Sequence, residues 1–453
     1  MDQSILRISK ELSELQKGSD LSLAVACRDI DVRNVKALII GPHETPYEFG
    51  FFEVSAIISG FPQARYHVRY YPSKAPHVTC VTTNNGRTRF NPNIYASGKV
   101  CLTWRGESGE QWSSAQGLES ILLSIQSLLS ANPYENEPGF ERPRAGDDEK
   151  RERKAYAQKI HHETLRLSVI KRLEDYLHIT AEGKKINPSN DKDQDLYDDA
   201  EEVNVPFEPF KDLCKRRFLW YYESYLDSAK KGSTLVRPKQ LFASTPFESK
   251  GNNIMDGSFD YPDLERRLNN IKKALDEETE SWAREGLEST AEETTVSVNL
   301  KHQFEQVVAT LKGGDMPHNV SLEDGNPFVW ILTYFGRPMT HFDSGLLRIR
   351  INFSPRFPEE QPRVKFETRI FHHLVAPDGT ICYSPKPNKK EDVMSHVEAI
   401  ISALEEDEPA YDPRKIVNLE ANKLFWNGEK DGKKLYHRRL RRSVQDSTEE
   451  FPV

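Results

Sequence analysis

One pattern is written twice in this chain, and that repetition constrains its fold more than any other feature. Asn91-Pro92-Asn93-Ile94-Tyr95-Ala96-Ser97-Gly98-Lys99-Val100-Cys101-Leu102 aligns without a gap on His372-His373-Leu374-Val375-Ala376-Pro377-Asp378-Gly379-Thr380-Ile381-Cys382-Tyr383, placing Cys382 on Cys101. Repetition at this distance is a divergent internal duplication and calls for two like units. In the first copy a turn-forming Ser97-Gly98 pair precedes the cysteine, and Ile94, Tyr95, Val100 and Leu102 read as short β-like pieces on either side. The thiol then lies on a constrained loop with the Asn93 carboxamide close by. That pairing suits acyl transfer through a thioester, because a thiolate attacks without metal help and a side-chain amide can donate to an oxyanion. The alternative from the residues alone is a small structural cysteine in a strand.

The flanking residues carry a resemblance. Asn91-Pro92-Asn93 followed by Gly98-Lys99-Val100-Cys101-Leu102 is similar to the His-Pro-Asn…Gly-x-x-Cys-Leu core of ubiquitin-conjugating enzymes. Gly41-Pro42-His43-Glu44-Thr45-Pro46-Tyr47-Glu48 and Gly50-Phe51-Phe52 upstream agree, as do Trp112-Ser113 and the run Ile121–Leu129 downstream. More narrowly, Asn91 in place of the usual His, Asn132–Glu141, Phe218–Glu223 and Phe259-Asp260-Tyr261 resemble the large Z-type (Use-one type) enzymes of that family. Several separated motifs in one order make coincidence a poor explanation. The resemblance implies an α+β chain with two ubiquitin-conjugating folds, each an antiparallel β-meander flanked by helices, joined by a helical extension.

It also implies roles. Cys101 would be the nucleophile, Asn93 the oxyanion donor or loop brace, and Asn91 a loop-shaping substitute for His. Arg7 and Lys10 on the first helix would meet the activating enzyme, although an ordinary solvated helix face explains each equally well. Asn136 and Glu137, in the stretch Tyr134–Glu137, would gate the incoming lysine, or belong to a solvated loop. The partners implied are ubiquitin or a ubiquitin-like modifier, its activating enzyme and a ligase. No cofactor or metal is required, since ATP is consumed upstream. Ser73 and Ser114 stand where an apolar residue and a proline usually receive a RING ligase, so weak RING docking is expected.

Apolar spacing sets the organisation. Ile5, Ile8, Leu12 and Leu15 share one helical face; strands are expected at Leu21–Cys27, Lys36–Ile40 and Gly50–Ile58. Residues 55–70 are several too many for the family, either a surface insertion or a gene-model artefact. The expected divisions are a catalytic core at 1–178, an acidic and polar linker at 179–206, the helical extension at 207–275, a Glu-rich linker at 276–296, a second core at 297–445 and a tail at 446–453. In the second core a helix is expected at Asn299–Leu311 and strands at Phe328–Phe335, Gly345–Phe353 and Arg363–Glu367, with Ser354–Pro358 answering Tyr71-Pro72.

The second copy departs where chemistry is concerned. Leu374 replaces Asn93 and cannot donate, while His372 keeps the first motif position. Cys382 and His372 therefore mark a possible second thioester site, but a degenerate module that binds ubiquitin, the charged first core or a substrate is the favoured reading. A catalytically inactive ubiquitin-fold scaffold or reader is the alternative for the chain as a whole. A cysteine protease would need a His base beside the thiol, which the first motif lacks.

Composition narrows the rest. Five widely spaced cysteines, Cys27, Cys80, Cys101, Cys214 and Cys382, show no metal-ligand spacing and suit a reducing compartment, hence cytoplasm or nucleus. A formal net charge of -8 gives no reason to expect nucleic acid, and no stretch has the apolar length of a membrane span.

Overall fold

The computed structural model describes residues 3–18, 20–58, 71–102, 111–142, 146–186, 207–248, 255–313, 318–406, 408–426 and 430–450. It divides into two compact units, one of residues 1–211 with 228–271, the other of 212–227 with 272–453.

The first unit is organised on a four-stranded antiparallel meander, β1 (Leu23–Arg28), β2 (Asp31–Ile40), β3 (Phe51–Ile57) and β4 (His77–Cys80), in sequential order. Alternation sends Val35, Ala37 and Ile39 of β2 and Phe52, Val54 and Ala56 of β3 to one face. There they pack with Ile8 and Leu12 of α1 (Gln3–Lys17) and Ile121, Leu122 and Ile125 of α2 (Leu118–Leu128). The opposite face is covered too: Leu38, Ile40 and Phe51 are buried. The helix α3 (Asp147–Glu163) passes into a π-helical stretch, Thr164–Lys171, and then α4 (Arg172–Leu177). Arg172 reaches Glu53 of β3 at 2.8 Å and the Thr82 hydroxyl at 2.9 Å, fixing this run to the sheet.

The second unit repeats the meander as β5 (Asn319–Glu323), β6 (Asn326–Phe335), β7 (Leu346–Asn352) and β8 (Arg363–Phe366). Phe328, Trp330, Leu332, Leu347, Ile349 and Ile351 form its core with α7 (Thr295–Gly313), α8 (Val393–Glu405), α9 (Leu419–Trp426) and α10 (Lys430–Glu450). Two long helices, α5 (Lys211–Leu235) and α6 (Tyr261–Ala291), supply residues to both units.

Several boundaries differ from the sequence expectation. The stretch expected as a Glu-rich linker from 276 is helix: Leu264, Leu268, Ile271, Leu275 and Trp282 recur at helical spacing, all buried, and carry α6 unbroken to Ala291. The extension expected at 207–275 is not one body, because residues 212–227 pack with the second unit. The expected tail at 446 is the last turn of α10, where Ser447 is buried and accepts from Leu346 N at 3.2 Å. Strands β4 and β5 were not expected; each is short and paired along one edge. Of the anomalous 55–70 segment, residues 55–57 belong to β3, and 59–70 lie outside the described residues, as do 187–206 of the polar linker.

Candidate active site at Cys101 and its second copy

The Cys101 turn is held by backbone bonds that the sequence positions. Gly98 takes φ 86°, and a Cβ there would meet the Cys80 carbonyl oxygen at 2.5 Å, so only glycine lets the turn lie against β4. Cys80 N then donates to Gly98 O at 2.8 Å and Tyr95 N to Lys99 O at 2.9 Å. Cys101 N donates to Asn93 O at 2.8 Å, which locks the cysteine to the asparagine.

Asn91 is fully buried and uses both ends of its carboxamide. Its amide donates to the Tyr47 hydroxyl at 3.1 Å and to Leu128 O at 2.8 Å, while its oxygen accepts from Asn93 N at 2.9 Å. The Tyr47 hydroxyl in turn donates to Phe90 O at 2.6 Å. Asn93 Nδ2 donates to Asn136 O at 3.3 Å, and Asn136 is itself tied to Leu128 O at 2.9 Å. Asn91, Asn93, Asn136 and Cys101 thus share one network.

Two residues of this site were not singled out from the sequence. Tyr95 lies beside Cys101, its phenol held above the ordinary value by burial and by hydrogen bonding to the thiol. Its ring is flanked by the Arg89 guanidinium at 4.7 Å and the Lys99 ammonium at 5.7 Å. Arg89, buried, also donates to Pro92 O at 2.5 Å and pairs with Glu137 at 3.1 Å. Glu137 is therefore committed to Arg89, and Glu135 to Arg153 at 2.9 Å, which leaves Asn136 as the gate residue bonded into the asparagine network.

On α1, Lys10 is solvent-exposed and 3.8 Å from Glu14, while Arg7 pairs with Glu11. Glu11 is buried and accepts from the Tyr71 hydroxyl at 2.5 Å and from Leu118 N at 3.0 Å, joining α1, the Tyr71-Pro72 turn and the start of α2. Ser73 and Ser114 are both exposed. Near them Trp112 Nε1 donates to Pro72 O at 2.6 Å.

The second copy reproduces the turn atom for atom in its backbone. Gly379 takes φ 88°, Phe366 N donates to Gly379 O, Ala376 N to Thr380 O and Cys382 N to Leu374 O, each at 2.8 Å. His372 Nδ1 accepts from Leu374 N at 3.2 Å, the bond that Asn91 makes through its oxygen. The side chains differ. Cys382 is 2% exposed, and burial pushes its thiol up to about 12. His372 is buried, and desolvation together with His373 holds it well below the usual imidazole range. Asp378 is exposed on the turn and pairs with Lys272 at 2.9 Å. Arg363 meets Asp212 at 2.8 Å and Lys365 meets Asp276 at 2.7 Å, so α5 and α6 bind the strand and turn that lead to Cys382. Tyr221 of α5 donates to Arg414 O at 2.8 Å.

Among the described residues no group of three or more His, Cys, Asp or Glu converges to hold a metal ion, and no helix is long and apolar enough to cross a membrane.

A thiol turn behind a four-stranded meander, braced by asparagines and written twice, defines a ubiquitin-conjugating fold. The chain belongs to the ubiquitin-conjugating enzyme family, whose model matches residues 7–164 and again 301–434. It is 33% identical over 283 residues to ubiquitin-conjugating enzyme E2 Z of Xenopus tropicalis, covering 61% of this chain and 73% of that one. It is 34% identical over 274 residues to the Homo sapiens protein of the same name, covering 60% of this chain and 64% of that one. A solved ubiquitin-conjugating enzyme E2 domain of Toxoplasma gondii shares 30% identity, covering 30% of this chain and 79% of that chain, with a TM-score of 0.23.

Proposed function

We propose that the first core accepts ubiquitin, or a related modifier, as a thioester on Cys101 and passes it to an amine of a substrate or to a ligase. The observation that carries this reading is the bond from Cys101 N to Asn93 O at 2.8 Å, which sets a partly exposed thiol beside a carboxamide. In the first step the Cys101 thiolate attacks the modifier's C-terminal carbonyl on the activating enzyme, whose cysteine leaves as the thiolate. In the second, a neutral amine attacks the Cys101 thioester, the oxyanion collapses, and Cys101 departs while the amine gives up its proton. Asn93 spends one amide hydrogen on Asn136 and keeps the other for the oxyanion. Tyr95 and the Arg89 and Lys99 cations around its ring give this face a polar, positive rim.

Arg7 and Lys10 are the proposed contacts to the activating enzyme, and Lys10 is the better candidate because Arg7 is already paired to Glu11. Asn136, rather than Glu137, is the proposed gate. Exposed serines at 73 and 114 favour weak RING docking. No cofactor or metal is needed within the chain, and five unpaired cysteines suit cytoplasm or nucleus. For the second core we favour a docking module over a second charged site, since Cys382 is buried and Leu374 has no donor.

The test is a charging assay with ubiquitin, ATP and activating enzyme on non-reducing gels. A reducible adduct that Cys101→Ala abolishes and Cys382→Ala spares is the expected result. Charging of both single variants would reinstate Cys382 as a second site, and no adduct with any activating enzyme would leave the scaffold reading.

A further inference from the structure

The second core holds a cavity of about 100 Å³ behind its turn, lined among others by His341, Phe342, His372, His373, Tyr436 and His437. That is well above the roughly 10–15 Å³ that admits one water. Phe342 occupies the place of Tyr47: Gly336 N donates to Gly345 O and Gly345 N to Phe342 O, as Gly41 N does to Gly50 O and Gly50 N to Tyr47 O. In the first core the Tyr47 hydroxyl joins Phe90 O and Asn91. Phe342 has no hydroxyl, and histidines stand around the space instead.

Two imidazole nitrogens there have no partner among the described residues. His373 is 5% exposed, stacks on Phe425 at 4.9 Å and meets the Tyr436 hydroxyl through Nδ1 at 3.0 Å, yet its Nε2 is unpaired. His437 stacks on His341 at 4.1 Å, and its buried Nδ1 is likewise unpaired. Burying a polar atom without a partner is costly, so two in one cavity argue for a ligand. Its sign follows from the surroundings. Burial is the larger cause of the depressed His437 and His373 imidazoliums and has no sign; the Lys433 and Arg441 cations beside His437, Arg441 donating to His341 Nδ1 at 3.0 Å, and Lys415 beside His373 are what favour an anion. Of the carboxylates at the mouth, Glu405 is matched by Arg337 at 2.9 Å, while Glu406 caps α8 in solvent. Among the described residues no three His, Cys, Asp or Glu converge here to hold a metal ion.

We propose that this cavity binds a small tetrahedral oxyanion, a phosphoryl group above all, between His373 on its floor and His341 and His437 at its mouth. Each imidazole donates one N–H to a phosphoryl oxygen, and protonation at the mouth strengthens the contact. The group arrives either as free phosphate or on a phosphorylated side chain.

The experiment uses the full chain. Inorganic phosphate, a short phosphoserine peptide and its unphosphorylated form are titrated by calorimetry, with histidine ring resonances followed by NMR. Saturable phosphate binding that shifts the His437 and His373 resonances is expected. One charge-assisted bond is worth about 1.5–3 kcal/mol, so His437→Gln and His341→Gln should each weaken binding about tenfold or more, and Lys434→Gln, on the exposed side of α10, by no more than about twofold. Sulfate, whose charge is constant in this range, should bind more weakly as the pH rises from about 4 to 6, where His437 and His373 lose their proton. A phosphopeptide tighter than inorganic phosphate assigns the site to a phosphorylated partner; equal affinity assigns it to the free ion. No histidine shift in the wild-type chain, or binding that both His→Gln variants leave unchanged, overturns the proposal.

Discussion

The Asn91 carboxamide donates to the Tyr47 hydroxyl at 3.1 Å, and through Tyr47 the loop before β3 braces the turn that carries Cys101. The tyrosine relays the bond to Phe90 O at 2.6 Å, so both polar groups are satisfied in a fully buried place. Tyr47→Phe, the residue the second core carries at this position, should cost about 1–3 kcal/mol by stranding the Asn91 amide and Phe90 carbonyl. Hydrogen exchange of first-unit peptides would show the loss there, and unchanged protection around 90–101 would refute it.

Asn93→Leu makes the first turn like the second. The backbone bond from Cys101 N to position 93 survives this change, so the thioester should still form. Discharge to free lysine should slow by about 10²–10³, the cost of one oxyanion donor. Single-turnover discharge from purified thioester measures this directly, and equal discharge rates would assign Asn93 to bracing alone.

Lys159 and Glu248 form an ion pair at 2.6 Å with side chains only 1% and 2% exposed. Removing one partner leaves a buried charge, so Lys159→Met should destabilise the first unit by about 3–5 kcal/mol. The double variant Lys159→Met/Glu248→Gln should lose less than Lys159→Met alone, because the stranded carboxylate is gone. Urea melts of the three proteins decide it, and a double variant weaker than the single would contradict the account.

Acid sensitivity should come from His161. Its Nδ1 meets the Tyr261 hydroxyl at 2.9 Å and its Nε2 the Ser228 hydroxyl at 2.5 Å. Burial, opposed by Glu48 and aided by His162, lowers it from 6.5 to about 4. The native state therefore takes the proton later than the unfolded chain does. Stability is complete above pH 6.5 and falls as pH drops towards 4, by at most about 3 kcal/mol from this group at about 1.4 kcal/mol per pH unit. In a pH series of urea midpoints, His161→Gln should flatten the slope in that window; an unchanged slope would place the acid sensitivity elsewhere.

The cysteines should react in order of access. Cys101 is partly exposed, whereas Cys80, Cys214 and Cys382 are buried, with Cys80 pushed up to about 11 and Cys382 to about 12. Brief iodoacetamide treatment at pH 7.5 should label Cys101 and spare those three. A chain begun at residue 297 lacks Asp212, Tyr221, Lys272 and Asp276, and should expose Cys382 to the same reagent.

Much of this was legible in the residues. The ungapped alignment of Asn91–Leu102 on His372–Tyr383 located both turns, because glycine spacing and cysteine position are local signals. The two cores' main helices followed from apolar periodicity. What escaped was tertiary. Nothing in the local sequence singles out Glu11 or Arg89, since their partners, Tyr71 and Leu118 for one, Glu137 and the Tyr95 ring for the other, are set by packing. The acidic run after Leu275 looked like a linker because its composition outweighed the lone Trp282 that continues the buried stripe. Tyr95 reads as a strand residue in sequence, and only its place beside the thiol makes it a site residue.

Gly379, at φ 88°, keeps the second turn folded around a cysteine that solvent no longer reaches. The two copies share the turn and differ in whether solvent reaches the thiol. Turn shape and thiol access are therefore separate properties: a count of candidate sites by fold or by aligned cysteine gives two in this chain, and a count by reachable thiol and available amide gives one.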